Sequence, residues 1–239
     1  MTNPEPQKKE NFFKTLAIAF ALAIFVRSFF FEPFHIPSSS MKPGLVIGDY
    51  IFVSKFSYGY SRYSFPLGLD IFEGRIFEDS PKRGDVAVFR LPMNPKINYI
   101  KRIIGLPGDK IQVRDGVVFI NEKEVVKSND GFFTEDGYKD IGQFIEQLPN
   151  GRQITVLDET TTPQDTTGIY QVPEGHYFMM GDNRDNSQDS RFLDHVGYVP
   201  KANLVGRANV IFFSNAKPTW QIWNWPTSIR FNRIFKTIK

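Results

Sequence analysis

A mostly β fold preceded by one membrane-spanning helix is predicted by three features of the chain. A single long apolar run lies near the N-terminus, at residues 12–31. Short segments rich in β-branched and aromatic residues follow it, punctuated by Gly and Pro. No helical periodicity of any length is found beyond the run, and no internal repeat.

The run, FFKTLAIAFALAIFVRSFFF, has 20 residues. At 1.5 Å per residue a helix of that length spans roughly 30 Å, the thickness of a bilayer's hydrocarbon core. Its two charges, Lys14 and Arg27, lie near its ends, where long basic side chains reach back to headgroups. Lys8, Lys9 and Lys14 precede the apolar core, so residues 1–11 are expected as a cytoplasmic tail and everything after Glu32 as exported. A cleaved signal peptide is the alternative, with Ser38-Ser39-Ser40 as the small-residue site. The bulky FFFEPFHIP ahead of those serines is unlike the approach to a cleavage site, which favours a retained anchor. In either case the main domain is extracytoplasmic.

The expected strands follow in order: DYIFVSKF (residues 49–56), DVAVFRL (85–91), INYIKRII (97–104), GHYFMMGD and NLVGRANVIFF. KIQVRDGVVFINEKEVV reads as a β-ribbon, with Asp115-Gly116 as a hairpin turn and Asn121-Glu122-Lys123 as another. Residues 112–172 are more polar, with TEDGYKD and LDETTTPQDTTG, and are expected to form a β-ribbon lobe inserted into an antiparallel sheet domain of residues 32–111 and 173–239. The tail WQIWNWPTSIRFNRIFKTIK mixes three Trp with Arg and Lys. That composition suits a membrane interface, and equally a core-packed last segment with a solvated basic face.

Composition excludes several function classes. Net charge is only +3 with no long basic block, which argues against a nucleic-acid partner. Cysteine is absent, so disulfides, a thiol nucleophile and cysteine-ligated metal are excluded. Histidine occurs three times, at His35, His176 and His195. With 41% hydrophobic residues and 24 Phe, a substantial core can be buried.

Three segments carry residues suited to chemistry. FHIPSSSMKPG places three serines between two prolines just after the anchor, a composition that fits a linker as well as a nucleophile. A serine nucleophile needs a base. Neither His176 nor His195 sits in a recognisable triad motif, and the G-x-S-x-G elbow is missing. Ser39-Ser40-Met41-Lys42 fits S-x-x-K, but Pro37 and Pro43-Gly44 disfavour the helix that would bring Lys42 to a serine, and S-D-N and K-T-G are absent. Lys42 is therefore expected as a solvated loop lysine. In the strand around Lys101, alternation puts Ile97, Tyr99, Lys101 and Ile103 on one face. A lone cation on an apolar face loses its hydration, which lowers its pKa toward a useful base. The same spacing suits a lysine snorkelling from a sheet edge, and spacing alone does not choose. The third segment, GDNRDNSQDSR at residues 181–191, interleaves Asp with Arg and does not fit an EF-hand loop. It is expected to be a rigid loop tied by charge-assisted hydrogen bonds, with no metal.

Taken in order, IPSSSMKPGLVIGDYIFVSKFSYG, RGDVAVFR, YIKRIIGLPGD, GDNRDNSQDSR and VGYVPKANLVGRA closely resemble bacterial type I signal peptidase. The resemblance implies a serine endopeptidase of the bacterial cytoplasmic membrane, with one pass, a cytoplasmic N-terminus and a periplasmic catalytic domain. Such an enzyme removes signal peptides from exported preproteins, after small residues, through an acyl-enzyme. It implies Ser40 as nucleophile and Lys101 as general base. Ser38 would join the Ser40 N–H in the oxyanion hole, Ser187 would orient the lysine, Asp189 and Arg191 would support the site, and Ser39 would be a spacer. Ile36, Met41, Leu45, Tyr99 and Ile100 would line the first substrate pocket. Phe34, Ile51 and Val88 would join Ile36 and Ile100 in the second. Preprotein signal peptides and the lipid bilayer are the implied partners, and no metal or organic cofactor is needed. The chain departs from the family at Gly44, where Thr is common, and at Ser39, where Gly is often found.

Overall fold

Residues 9–65, 74–134 and 140–239 are described by a computed structural model. Residues 1–8 of the expected tail, including Lys8, and residues 135–139 of TEDGYKD lie outside the described residues.

The apolar run forms helix α1, Lys9–Phe29. Its window Phe12–Phe29 has a mean hydropathy of 1.8, and only 6% of it is buried against the protein. A helix that is apolar all round with no protein partner is suited to lipid. Its C-terminal end, by contrast, is fastened to the sheet. Lys55 N donates to Phe30 O at 2.9 Å, and the Tyr60 hydroxyl donates to Phe29 O at 2.8 Å. Glu32 bridges Arg27 and the buried Lys55, each at 2.6 Å. Burial pulls the Lys55 amine below its ordinary pKa against the opposing pull of Glu32.

Among the described residues, fourteen strands follow. The first four are β1 Phe31–His35, β2 Asp49–Ser54, β3 Val86–Leu91 and β4 Asn94–Gly105. Next come β5 Lys110–Arg114, β6 Val117–Ile120, β7 Lys123–Glu124, β8 Val126–Phe133, β9 Ile141–Gln147, β10 Gln153–Leu157 and β11 Tyr170–Gln171. The last three are β12 His176–Met180, β13 Val199–Pro200 and β14 Leu204–Ser214. A seven-stranded sheet runs β1-β2-β14-β3-β4-β12-β13, and all its paired strands are antiparallel. The protein is thus mostly antiparallel β with one N-terminal apolar helix, as the sequence predicts.

Strands β5–β11 lie between β4 and β12 in the chain and form two smaller sheets, β11-β5-β6-β7 and β10-β9-β8. The turns that close the first of these use left-handed backbone: Asp115 and Gly116 have φ of 48° and 75°, Asn121 and Glu122 of 52° and 67°. Such angles are those of two-residue hairpins matched to strand twist. The insertion does not have a core to itself. Ile111, Val118, Ile154 and Val156 pack against Ile104 of β4 and Phe178 and Met180 of β12. Shared packing of this kind fixes the insertion rigidly on the main sheet.

Strand alternation sorts the main sheet's side chains as the pattern predicts. Ile103 and Tyr99 of β4 join Ala87 and Phe89 of β3 in one cluster, while Ile100 joins Val86 and Val88 in another. In the tail, Arg233 binds the Asp49 carboxylate through two nitrogens, at 3.0 and 2.6 Å. Ile238 packs on the core, and its N–H donates to Asn209 O at 2.8 Å. Trp220 and Trp223 nevertheless stay 69% and 67% exposed. The tail's backbone is therefore fixed to β14 while these aromatic rings face outward.

Candidate active site

The serine segment forms the loop between β1 and β2. Ile36 N donates to Asp49 O and Gly48 N to Ile36 O, which pins both ends of the loop to the hairpin register. Asp49 also accepts from Val46 N at 2.9 Å and from the Ser214 hydroxyl at 2.7 Å. Residues 40–44 are turns, not helix. Ser40 is 6% exposed and Lys101 4%. The two meet at 2.6 Å, Lys101 Nζ to Ser40 Oγ, across 61 residues of chain. Lys101 is paired with Ala87 in the middle of the sheet, so its register is fixed by two neighbouring strands, β3 and β12.

Burial is the largest influence on the Lys101 amine and lowers its pKa to about 8. Asp189 and Asp182 pull it back up, and Arg191 pushes it down. The sheet-edge snorkelling alternative is set aside by this burial. An ammonium stripped of water favours its neutral form, the one form that can accept a proton from a hydroxyl. The Tyr99 ring, with its centroid 5.3 Å from Nζ, fills one side of the amine's surroundings.

Residues 181–191 form the back of the site. Asp189 binds Arg191 through two hydrogen bonds of 2.9 and 3.0 Å, both side chains buried. Burial alone would raise the Asp189 carboxyl, but Arg191 and the Gly181 N–H hold it below its ordinary range. The remaining charges of the loop pair outside it, and this the sequence did not indicate. Asp182 takes Arg102 through two bonds of 2.7 Å, and Arg184 takes Glu146 of β9 at 2.7 and 2.6 Å. Gly181 is needed for the close approach to the serine loop. A Cβ there would stand 2.6 Å from the Ser40 carbonyl and 2.1 Å from Ser187 Oγ.

The smaller polar residues fall as follows. Ser38 Oγ lies 3.3 Å from Ser40 Oγ. Ser187 is buried against Gly181; among the described residues its hydroxyl makes no hydrogen bond to Lys101, and it acts on the Asp189 carboxylate, helping to hold it low. Ser39 does more than space its neighbours: its hydroxyl accepts from Asn186 at 2.7 Å and its carbonyl from Asn183 at 3.3 Å, tying the serine loop to residues 181–191. Lys42 is corrected outright. Expected in solvent, it is only 3% exposed, and the Phe133 ring of β8 lies over its Nζ at 6.0 Å. Coverage by a segment 91 residues away leaves no trace in the local sequence.

A cleft of about 360 Å³ opens beside Ser40 and Lys101, bordered by Pro37, Ser38, Ser39, Ile97, Asn98, Tyr99, Ile100, Asn186 and Gln188. Of the apolar residues assigned to substrate pockets, Tyr99 and Ile100 border this cleft. Ile36, Met41, Leu45, Ile51 and Val88 are packed in one core cluster behind it, with Phe34 and Ile100 partly exposed at its margin. Met41 and Leu45 also face a second cavity of about 280 Å³ on the far side, with Arg102, Asp182 and the tail. His176 Nδ1 is occupied by the Glu174 carbonyl at 2.8 Å.

Residues 9–213 match the family model described as signal peptidase, peptidase S26. Among curated proteins, the chain is 41% identical to the signal peptidase I of Rickettsia typhi, over 95% of this chain and 92% of that one. It is likewise 41% identical to the signal peptidase I of Rickettsia akari, over 93% and 90%. A solved signal peptidase I of Enterococcus faecalis is 29% identical, covering 54% of this chain and 97% of its own at a TM-score of 0.32.

Proposed function

Since the chain belongs to the signal peptidase family of S26 peptidases, and so is a serine endopeptidase acting on signal peptides, we propose that it cleaves exported preproteins after small residues by a Ser40/Lys101 acyl-enzyme mechanism. The observation that carries the proposal is the 2.6 Å contact between two buried groups, Lys101 Nζ and Ser40 Oγ. A base within hydrogen-bond reach of its nucleophile, with a pKa brought close to neutrality, is the arrangement this chemistry requires.

Neutral Lys101 takes the Ser40 proton as Oγ attacks the carbonyl following the −1 residue. The negative oxygen that forms accepts from the Ser40 N–H and the Ser38 hydroxyl. Donors placed in this way are worth about 10²–10³ each in rate. The Lys101 ammonium then gives its proton to the departing amine, and in its neutral form again it activates the water that hydrolyses the ester. With the amine at about 8, roughly a tenth of the molecules are ready at pH 7. Asp189–Arg191 supports the residues behind the lysine, and Ser187, buried beside Gly181 and the Asp189 carboxylate, is the hydroxyl that orients the amine once substrate is bound. Ile36, Met41, Leu45, Tyr99 and Ile100 shape the −1 pocket, and Phe34, Ile36, Ile51, Val88 and Ile100 the −3 pocket. Close-packed apolar walls of this kind exclude bulky side chains by sterics.

Residues 1–11 form the cytoplasmic tail, 12–31 the anchor in the cytoplasmic membrane, 32–111 with 173–239 the exported catalytic domain, and 112–172 its inserted lobe. Support comes from α1, whose apolar window is only 6% buried, and from its attachment to β1, which keeps Ser40 nine residues from the span. A signal peptide lying as a membrane helix presents its cleavage site at that depth. The exposed Trp220 and Trp223 rings suit the headgroup region and hold the domain against the bilayer.

The test is cleavage of a panel of preproteins by the full chain in phospholipid vesicles, with Ser40→Ala and Lys101→Arg beside it. Both variants are expected to be inactive, since arginine keeps the charge but cannot give up its proton. Cleavage by either would overturn the dyad, and loss of cleavage for every substrate but one would narrow the enzyme to a dedicated processing peptidase.

A further inference from the structure

The insertion grips the residues behind the catalytic lysine at two points. On one side, Glu146 of β9 is 1% exposed and receives both terminal nitrogens of Arg184. On the other, β10 runs alongside the loop: Leu157 N donates to Asp182 O and Arg184 N to Leu157 O, each at 2.8 Å. Arg184 is the hub of this contact. Its Nε donates to Gly181 O at 3.1 Å, and its own carbonyl accepts from Arg191 Nη2 at 2.6 Å. One residue earlier, Asn183 N donates to the Ser40 carbonyl at 3.1 Å. Arg184 therefore links the insertion to Gly181 through its guanidinium and to the Arg191–Asp189 pair through its backbone carbonyl, next to the residue that holds the nucleophile's backbone.

We propose that Glu146 is a positioning residue for the cleavage reaction, acting through Arg184 to set the geometry and charge of residues 181–191 behind Lys101, so that the insertion is a working part of the catalytic centre. The inference rests on the Ser40/Lys101 reading above. Arg184 stays charged although burial opposes it, because Glu146, Asp182 and Asp189 outweigh the loss of water. Asp182 and Asp189 are the same carboxylates that raise Lys101, where they are set against Arg191 and where Arg102 occupies Asp182. Ser40 and the Tyr99 ring complete the groups around the amine. Without Glu146, Arg184 carries an uncompensated positive charge onto those two carboxylates. They then favour the Lys101 ammonium less, and the loop loses its fixed attachment to β9.

The experiment measures kcat, KM and the pH–rate profile of preprotein cleavage for the full chain in detergent micelles, as wild type, Glu146→Gln, Glu146→Asp and Glu146→Gln/Arg184→Gln. Glu146→Gln is expected to lower kcat by roughly 10–100-fold, as a small misplacement of catalytic groups does, with KM changed less than about twofold. Its acid limb is expected at lower pH than in wild type. The double variant, which removes both charges, is expected to return the acid limb to the wild-type position, a result a merely structural role would not give. Glu146→Asp keeps the charge on a shorter arm, and is expected to lower kcat while leaving the acid limb in place; it carries the test if Glu146→Gln does not fold. Wild-type kcat and profile in Glu146→Gln, or a displaced acid limb in Glu146→Asp, overturns the proposal. Ser40→Ala in the same assay separates the two readings, because activity there sinks the dyad itself.

Discussion

Replacing Lys101 by methionine removes the amine and keeps an unbranched chain of similar length in the same buried space. Holding the amine at about 8 in place of its ordinary 10.5 costs the fold about 3.4 kcal/mol wherever the unfolded chain is protonated and the pH lies below 8. The variant gives up the hydrogen bond to Ser40, worth about 1 kcal/mol, and is left more stable than wild type by about 2 kcal/mol at pH 6. The sign with pH follows from proton counting. Between about 8 and 10.5 the unfolded chain binds more protons than the folded one, so wild-type stability rises with pH in that window. By pH 9.5 the penalty has shrunk to about 1.4 kcal/mol, and the advantage of the variant is nearly gone. Urea unfolding of Ser40→Ala and Ser40→Ala/Lys101→Met in matched micelles at pH 6 and 9.5 isolates this effect, since every other titrating group is common to both proteins. In that background the Ser40 hydrogen bond is already absent, so the expected advantage at pH 6 is closer to 3 kcal/mol. An advantage that is equal at the two pH values would refute the reasoning, because it would mean that burial does not lower the lysine's pKa.

The acid limb of wild-type kcat/KM is expected near pH 8, set by the free enzyme's lysine; a limb below 6 in a continuous cleavage assay would point to another base. Ser38→Ala is expected to lower kcat by about 10²–10³ with KM nearly unchanged, as loss of an oxyanion donor does, and single-turnover kinetics would read the change directly in the acylation step. Asp189→Asn leaves the buried Arg191 without its carboxylate, an expected loss of about 3–5 kcal/mol in denaturant unfolding. Because the Asp189 carboxyl lies below its ordinary range when folded, its contribution in wild type is whole above about pH 4 and fades as pH falls further; a variant matching wild type at pH 7 would show that the pair is dispensable.

Much of the candidate active centre was legible locally. Alternation in YIKRII put Lys101 among apolar neighbours, and the structure keeps Tyr99 and Ile103 in one cluster and Ile100 in the other. Pro37 and Pro43 excluded a helix around Ser40, and the segment is indeed turns. Readings failed where an outcome depended on a distant element. Lys42 looked solvated because nothing near it in sequence covers it, whereas Phe133 does. The charges of GDNRDNSQDSR were legible as ties but their partners were not, since Arg184 reaches Glu146 and Asp182 reaches Arg102, 38 and 80 residues away.

The sequence by itself determined the apolar N-terminal helix, the strands, their turns and the order of the candidate reactive segments, because hydrophobic period and turn chemistry act over a few residues. Tertiary structure alone decided which buried charges neutralise one another and how dry the Lys101 amine becomes. Both quantities fall off within a few ångströms of each group, and only the folded sheet and its insertion set those distances.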